Sequence, residues 1–278
     1  MHKILFIALA VFIFDGAFAQ NAKAKKYEVE ADTAMSNQDY AKAIKLYTKT
    51  IKASKLQERA DYFAVYKRAV CYFSINDFHH ALEDLNTVVP KIPGLPQGKI
   101  LRALTYGELG QQDKKLEDLA NALVADPANP GLLKWRASIY LEDEEYKLAR
   151  KDLEIAKLFE DDAETEMYLG VAQYNAGSID SAFMSLDKSI QLDATYMPAY
   201  MYASSFSLEE DRYEQALNYL EFAGRLEPKN TTVFYYKGIA LVELERTEEG
   251  CTFLRKAFYG GLDDASGALK EYCFGVEN

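Results

Sequence analysis

The sequence contains few of the residues from which catalytic and metal-binding sites are usually built. It has three histidines, three cysteines and one tryptophan in 278 residues, and neither an H-E-x-x-H nor a C-x-x-C motif is present. His79 and His80 are adjacent, so on a helix they would point about 100° apart and would rarely share one metal ion. No candidate nucleophile has a plausible base. We therefore expect a protein that is not an enzyme and that has no catalytic residue, metal or cofactor.

Positive charge is also scarce. The chain has 32 lysines and arginines against 43 aspartates and glutamates, a net charge of -11, and it contains no strongly basic run. A surface of this sign repels the phosphate backbone of nucleic acids and anionic membrane surfaces. We therefore expect no nucleic acid among the partners.

Long apolar runs are absent apart from one at the start. Lys3 precedes eleven apolar residues, Ile4 to Phe14, and Ala17-Phe18-Ala19 follows, which is the pattern of a secretory signal peptide with its cleavage site. A membrane anchor is the alternative, but a spanning helix needs about 20 apolar residues. We expect residues 1–19 to be a signal peptide and residues 20–278 to be exported, soluble in the periplasm or outside the cell, with no transmembrane segment.

The rest of the chain is an internal repeat. Seven positions, of which six are Ala or Gly, recur at intervals of 38, 34, 34, 33, 34 and 34 residues: Ala43, Ala81, Lys115, Ala149, Ala182, Ala216 and Gly250. Four residues after each comes a larger side chain: Tyr47, Leu85, Leu119, Leu153, Leu186, Leu220 and Leu254. Twelve residues before each comes a second small residue: Ala31, Ala69, Ala103, Ala137, Gly170, Ser204 and Gly238. These spacings predict two helices per unit that approach closely.

Short polar segments separate the two helical patterns of a unit, as at Asn76-Asp77, Gly110-Gln111 and Ala176-Gly177-Ser178, and they predict turns. Pro93, Pro127 and Pro228 close several units in register. A helix-turn-helix unit of this length with small, small and large residues resembles the tetratricopeptide repeat family.

The resemblance implies an all-α fold, a right-handed α-solenoid of about seven repeats. The repeats are expected at residues 24–57, 62–95, 96–129, 130–162, 163–196, 197–230 and 231–261, with a capping helix at 262–275.

The resemblance also implies a binding surface, because the first helix of each hairpin lines the concave side in this family. Eight large side chains fall at inward-facing positions: Tyr66, Trp135, Tyr168, Tyr174, Met201, Tyr202, Tyr235 and Tyr236. An acidic row occupies the ends of the same helices: Glu108, Glu142, Glu209 and Glu243. Aromatic rings dominate binding hot spots, although packing between repeats is the alternative role for them. A mixed apolar and acidic groove favours a protein or peptide with hydrophobic and basic side chains.

The Lys/Asn/Arg clamp with which some family members hold a C-terminal carboxylate is not reproduced, so an internal segment or a folded surface is the expected ligand. The function predicted is therefore a scaffold or adaptor for protein binding in the cell envelope. Two alternatives stay open, namely an exported carbohydrate or small-molecule binding protein and a structural subunit of an envelope assembly.

Two of the three cysteines lie near the C-terminal end of the repeats. Cys251 falls in the last hairpin and Cys273 at the end of the predicted capping helix, and an oxidising compartment would permit them to pair. A similar arrangement in exported bacterial tetratricopeptide proteins supports the pairing. Two free buried thiols are the alternative. Cys71 is expected to be a small buried apolar residue.

The first testable prediction is cleavage of the chain between Ala19 and Gln20. Intact-mass measurement of protein recovered from the exported soluble fraction should give a chain that begins at Gln20, because the A-x-A site directly follows a short apolar run. A soluble mass that includes residues 1–19 would contradict it.

Overall fold

A computed structural model describes residues 22–54 and 61–273, and every regular element in these two ranges is helical. The predicted signal peptide and its cleavage site lie outside the described residues. The helices are α1 (Ala22–Ser36), α2 (Tyr40–Ser54), α3 (Tyr62–Ser74), α4 (Phe78–Lys91), α5 (Pro96–Glu108), α6 (Gln112–Ala125), α7 (Pro130–Glu142), α8 (Tyr146–Phe159), α9 (Ala163–Asn175), α10 (Ile179–Leu192), α11 (Met197–Glu209), α12 (Tyr213–Leu226), α13 (Thr231–Glu243), α14 (Thr247–Tyr259) and α15 (Ala265–Ala268). The prediction of an all-α fold built from consecutive helix pairs is confirmed.

The hairpins fall into two compact units. Helices α1 to α6 belong to the unit that ends at Ala125, and helices α7 to α15 belong to the unit that begins at Asp126. We call them the N-terminal unit and the C-terminal unit.

All seven hairpin turns have the same backbone geometry. One residue in each turn has a positive φ between 55° and 79°: Gln38, Asn76, Gly110, Glu144, Gly177, Asp211 and Glu245. The residue after it donates its backbone N–H to the carbonyl oxygen five residues earlier, at 2.7–2.9 Å. This is the Schellman arrangement, which satisfies carbonyl groups that a helix end would otherwise leave unpaired.

Close approach of the two helices in a hairpin depends on the small residues of the first helix. Leu186 and Leu254 are fully buried against Gly170 and Gly238. A Cβ atom on Gly170 would lie 2.8 Å from Cγ of Leu186, and one on Gly238 would lie 2.7 Å from Cγ of Leu254. Both distances are shorter than any ordinary contact, so a side chain at either glycine would force the helices apart.

Three hairpins also carry an ion pair between their two helices that the repeat pattern did not identify. In each, an arginine on the first helix donates two hydrogen bonds of 2.6–2.8 Å to a buried aspartate sixteen residues later on the second helix. The pairs are Arg68 with Asp84, Arg102 with Asp118, and Arg136 with Asp152. Removing one partner would leave a buried charge unpaired, which is strongly destabilising.

The next three hairpins have other residues at these two positions. The replacements are Leu169 with Ser185, Ala203 with Tyr219, and Lys237 with Phe253. The bidentate pair is therefore a feature of the second, third and fourth hairpins.

The end of the C-terminal unit is closed by a short segment. After α15 comes a π-helical turn, Leu269–Cys273, so the helical part described here is shorter than the predicted helix at 262–275, of which residues 274 and 275 lie outside the described range. Leu269 and Ala268 pack on Leu254 of α14. A disulfide joins Cys251 of α14 to Cys273, the pairing that the sequence left open against two free thiols.

Cys71 is buried and is not part of a disulfide. Burial, together with the nearby charge of Asp32, raises the pKa of its thiol to about 12. The thiol is therefore protonated at neutral pH and unreactive in the folded protein.

The second testable prediction concerns the oxidation state of the cysteines. Alkylation in denaturant without reductant should label one cysteine, Cys71, and prior reduction should raise the number to three. The bond encloses a loop with a sequence separation of 22 residues, for which chain entropy gives roughly 3 kcal/mol of stabilisation. Three labelled cysteines in air-oxidised protein would contradict the pairing.

Candidate functional site

Ten of the twelve residues predicted to bind a partner lie on the first helices of the C-terminal unit. They are Trp135 and Glu142 on α7, Tyr168 and Tyr174 on α9, Met201, Tyr202 and Glu209 on α11, and Tyr235, Tyr236 and Glu243 on α13. We call the surface that carries these ten residues the first-helix face. The contacts described next show which of them the fold brings together.

The other two predicted residues, Tyr66 and Glu108, belong to the N-terminal unit and are described within it. Tyr66 on α3 packs against the buried side chains of Val65 and Val88, and burial raises its pKa to about 12. Glu108 is exposed at the last position of α5. Tyr66 therefore has a packing role in its own unit and is not part of the first-helix face.

The centre of the first-helix face is an aromatic stack between α9 and α11. The rings of Tyr174 and Phe206 are parallel within 5°, with their centroids 3.7 Å apart, and the ring of Tyr202 lies 5.8 Å from Phe206. Phe206 is buried, whereas Tyr202 is 39% exposed. The stack therefore has a rigid inner part and one ring that is open to a ligand.

Two carboxylates converge on the edge of this stack. The hydroxyl oxygen of Tyr174 lies 3.1 Å from Oε2 of Glu209 and 3.1 Å from Oε1 of Glu210. Burial, and then the hydrogen bonds and charges of these two glutamates, raise the pKa of Tyr174 above its ordinary value. Its single proton can be donated to only one carboxylate at a time, so the other remains available as an acceptor.

A second acidic cluster lies between α7 and α9. Nζ of Lys134 is 2.7 Å from Asp162, 3.2 Å from Glu164 and 3.4 Å from Glu160. Although burial acts to raise it, hydrogen bonds from Lys134 and Thr165 hold the pKa of Asp162 below its ordinary value. Three carboxylates surround one ammonium group, so this part of the surface keeps a net negative charge at neutral pH.

Tyrosines connect the two acidic clusters. Burial raises the pKa of Tyr168, and the charge of Glu164 and the nearby phenol of Tyr202 raise it further. The pKa of Tyr196 is raised in the same way, by burial first and then by Glu164 and Tyr168. These phenols therefore remain protonated hydrogen-bond donors at neutral pH, and Tyr168 and Tyr196 pack against the same buried cluster.

Most of the predicted apolar residues pack on one side and are partly open on the other. Trp135, Tyr168, Tyr174, Met201, Tyr235 and Tyr236 are half-buried, and only Tyr202 of this set is exposed. Tyr168 and Tyr174 pack on the buried cluster that includes Met167 and Phe206. These positions therefore combine inter-repeat packing, the alternative role considered for them, with partial exposure.

The face is partly covered at its α13 end. Tyr235 packs with the closing segment around Leu269, and Tyr272 of that segment donates a hydrogen bond of 3.2 Å to Oε1 of Glu243. Tyr235 and Glu243 are therefore engaged by the chain itself. The open part of the first-helix face lies on α7, α9 and α11, where Glu142 and Glu209 are exposed.

Sequence reasoning missed several residues of this site. The prediction did not include Phe206, Glu210 and Tyr196, because these residues lie beside the inward-facing positions. It did not include Lys134, because a cation was not expected in an acidic groove. The signal that could have found Lys134 is the acidic segment Glu160-Asp161-Asp162, with Glu164 directly after it.

Residues 22–54 and 61–273 contain neither a metal-binding cluster nor a membrane-spanning helix. No group of three or more His, Cys, Asp or Glu side chains there could hold a metal ion. Within the same ranges, no helix combines the length and the apolar character needed to cross a membrane.

Comparison with known sequences finds similarity to one family of helical repeats. A family model described as tetratricopeptide repeat matches residues 29–96. Heat shock protein STI1 of Saccharomyces cerevisiae is 28% identical over 138 residues, which cover 50% of this chain and 23% of that protein. The chain thus spans less than a quarter of the length of this relative.

Comparison with solved structures finds the same architecture. A tetratricopeptide repeat protein from Parabacteroides merdae matches with a TM-score of 0.68 and 14% identity, over 93% of this chain and 100% of that one. The C-terminal part of a TPR repeat-containing protein from Cytophaga hutchinsonii matches with a TM-score of 0.69 and 17% identity, over 87% and 98%. YrrB, described as a TPR protein with an unusual peptide-binding site, matches with a TM-score of 0.53 and 19% identity, over 68% and 100%.

Proposed function

We propose, from the premise that this chain is a tetratricopeptide repeat protein, that it is a non-catalytic scaffold whose first-helix face holds a polypeptide segment. Repeat proteins of this kind present extended surfaces for binding other proteins. The description of YrrB as a protein with a peptide-binding site is consistent with this role. The location that we propose is the cell envelope or its exterior, which rests on the predicted signal peptide at residues 1–19.

The observation that carries the proposal is the aromatic and acidic stack between α9 and α11. Phe206 holds the ring of Tyr174 in place by stacking at 3.7 Å, and Tyr202 extends the apolar surface outward. A ring that is already fixed loses little side-chain entropy when a ligand packs on it. This preorganisation is what distinguishes a binding surface from exposed side chains in general.

The charges of the same surface favour a ligand with basic and apolar side chains. Glu209 and Glu210 compete for one phenolic proton, and Lys134 is outnumbered by Asp162, Glu164 and Glu160. An arginine of the ligand could pack its guanidinium on the Tyr202 ring while it donates hydrogen bonds to Glu209. Like-charge repulsion would disfavour acidic segments at this face.

The third testable prediction is a loss of binding without loss of fold. Peptides are first selected from a random library with the intact chain, and we expect sequences rich in Arg or Lys next to large apolar residues. Replacing Trp135, Tyr168 and Tyr202 together with Ala should then weaken binding at least a hundredfold, because each ring lost from a hot spot can cost about 2 kcal/mol or more. Fluorescence polarisation measures the affinity, and circular dichroism should show nearly unchanged helical content.

Two control variants make this experiment specific. Tyr259→Ala removes a ring that is 82% exposed on a second helix and should leave affinity unchanged. Leu186→Ala removes a fully buried leucine and should cost about 2 to 5 kcal/mol of stability. If the triple variant unfolds like Leu186→Ala, the three rings belong to the core. If it stays folded and binds as tightly as before, the ligand uses another surface.

A further inference from the structure

A cavity of about 380 Å³ lies outside the first-helix face, in the last part of the C-terminal unit. Its lining comes from α12, α13 and α14, and includes Arg225, Phe234, Lys237 and Phe253. The second helices of two successive hairpins thus form part of its wall. Its chemistry is opposite to that of the first-helix face, since it combines cations with phenylalanine rings.

Cations lie close to phenylalanine rings both in the lining of this cavity and directly beside it, where Lys256 and Phe222 are neighbours of the lining residues. Nζ of Lys237 lies 4.9 Å from the ring centroid of Phe253, and Nζ of Lys256 lies 4.8 Å from the same centroid. The guanidinium carbon of Arg225 lies 5.1 Å from the centroid of Phe222. Cation–π contacts of this kind orient a charged group but leave its hydrogen-bond donors unsatisfied by the ring.

Lys237 and Phe253 occupy the two positions that carry the buried Arg–Asp pair in other hairpins. In the fourth hairpin these positions hold Arg136 and Asp152, which are joined by hydrogen bonds of 2.6 and 2.7 Å. In the last hairpin the cation is kept as lysine, whereas its carboxylate is replaced by a phenyl ring. At these two positions the last hairpin therefore has the cation of the ion pair but no carboxylate.

No carboxylate within the described ranges lies at ion-pairing distance from Lys237, Lys256 or Arg225. Glu221 lines the cavity without forming an ion pair with any of them. Glu249 is held by Arg246 at 2.8 Å, and its pKa is lowered by that hydrogen bond first and also by the charge of Lys237. Arg225 and Lys256 are exposed, so the half-buried Lys237 is the cation that the cavity itself leaves without a close carboxylate.

We propose that this cavity binds an acidic side chain of a polypeptide that has an aromatic or aliphatic residue beside it. The ligand carboxylate would take the place that aspartate has in the Arg–Asp hairpins, and its apolar neighbour would pack on Phe234 and Phe253. Phe222, which is 51% exposed beside Arg225, offers apolar surface for the next residue of such a segment. The proposal does not depend on the first-helix face, which favours ligands of the opposite charge.

The fourth testable prediction uses two probes that differ in one charge, the tetrapeptides acetyl-Gly-Asp-Phe-Gly-amide and acetyl-Gly-Asn-Phe-Gly-amide. Titration of each into the isotope-labelled intact chain is followed by amide chemical shifts in NMR spectra. We expect saturable shifts in α12, α13 and α14, with at least tenfold tighter binding of the aspartate peptide. Equal affinity of the two peptides, or no saturable shift in these helices, would overturn the proposal. Equally tight binding of 3-phenylpropionate would assign the cavity to small carboxylates and would also contradict it.

Variants at the cavity separate a specific site from general attraction of anions. Lys237→Met should weaken binding of the aspartate peptide at least tenfold, whereas Lys237→Arg should keep most of the affinity. Lys151→Met, at an exposed position on α8, should leave the affinity for this peptide unchanged. The chemical-shift dispersion of the same NMR spectra shows whether each variant is folded. If Lys237→Met does not fold, Lys256→Met replaces it as the variant that removes a positive charge. Unchanged affinity in a folded charge-removing variant would overturn the proposal. Peptides for the first-helix face should bind normally to these variants, so the two proposals can fail independently.

Discussion

The distance between the two helices of each hairpin is the constraint on which the other features of this protein depend. At Gly170 and Gly238 there is no room for a Cβ atom, because the buried leucine of the second helix occupies that space. Close approach fixes which side of the first helix is buried, and it therefore also fixes which side is left to face outward. The Tyr174–Phe206 stack and its carboxylates lie on first helices that are held in this way. The recognition that we propose for that surface would thus rely on the packing behind it.

The electrostatics of the hairpins follow from the same geometry. Two helices packed this closely can pair a buried carboxylate internally, as Asp152 and Arg136 do, and removing either partner of such a pair is destabilising. When the aspartate becomes a phenylalanine, as at Phe253, the lysine beside it has no buried ion-pair partner at that position. The same repeat position thus carries a buried ion pair in three hairpins, and we propose that in the last hairpin it binds a ligand. The acidic first-helix face and the basic cavity would then select different segments.

Periodicity was sufficient to predict the repeat and the paired helices, because small and large residues at spacings of 4 and 12 are a local signal. It was not sufficient for the turns, since Gln38 and Glu144 adopt positive φ without being typical turn residues. There the packing of the two helices dictates the backbone, and propensity is overridden. Lys115 stands where other repeats have a small residue, and it is accommodated because its aliphatic chain lies against Gly107, which has no side chain.

The site was less predictable than the fold for a physical reason. An inward-facing register can be predicted from one helix, but the stacking of Tyr174 on Phe206 depends on the rotamers of two side chains that are 32 residues apart and lie on different helices. The same is true of the Arg–Asp pairs, whose partners are sixteen residues apart and on different helices. The hydrogen bond from Tyr272 to Glu243 depends on where the closing segment folds back. The Tyr174–Phe206 and Tyr272–Glu243 contacts leave no local pattern, whereas Arg68, Arg102 and Arg136 recur every 34 residues and are a periodic signal that the small and large residues did not include.

The most direct test of the central constraint is the stability of Gly238→Ala, measured by denaturant unfolding and hydrogen exchange. Helix propensity alone predicts that alanine stabilises a helix interior by roughly 1 kcal/mol relative to glycine. Close approach of the helices predicts that Gly238→Ala lowers the free energy of unfolding, because the new Cβ would lie 2.7 Å from Cγ of Leu254. Hydrogen exchange should then accelerate first in α13 and α14. Gly224→Ala is the matched control, since its Cβ would meet only Cγ1 of Val233 at 3.7 Å, and it should be neutral or stabilising. Stabilisation by Gly238→Ala, with unchanged exchange in α13 and α14, would contradict the account.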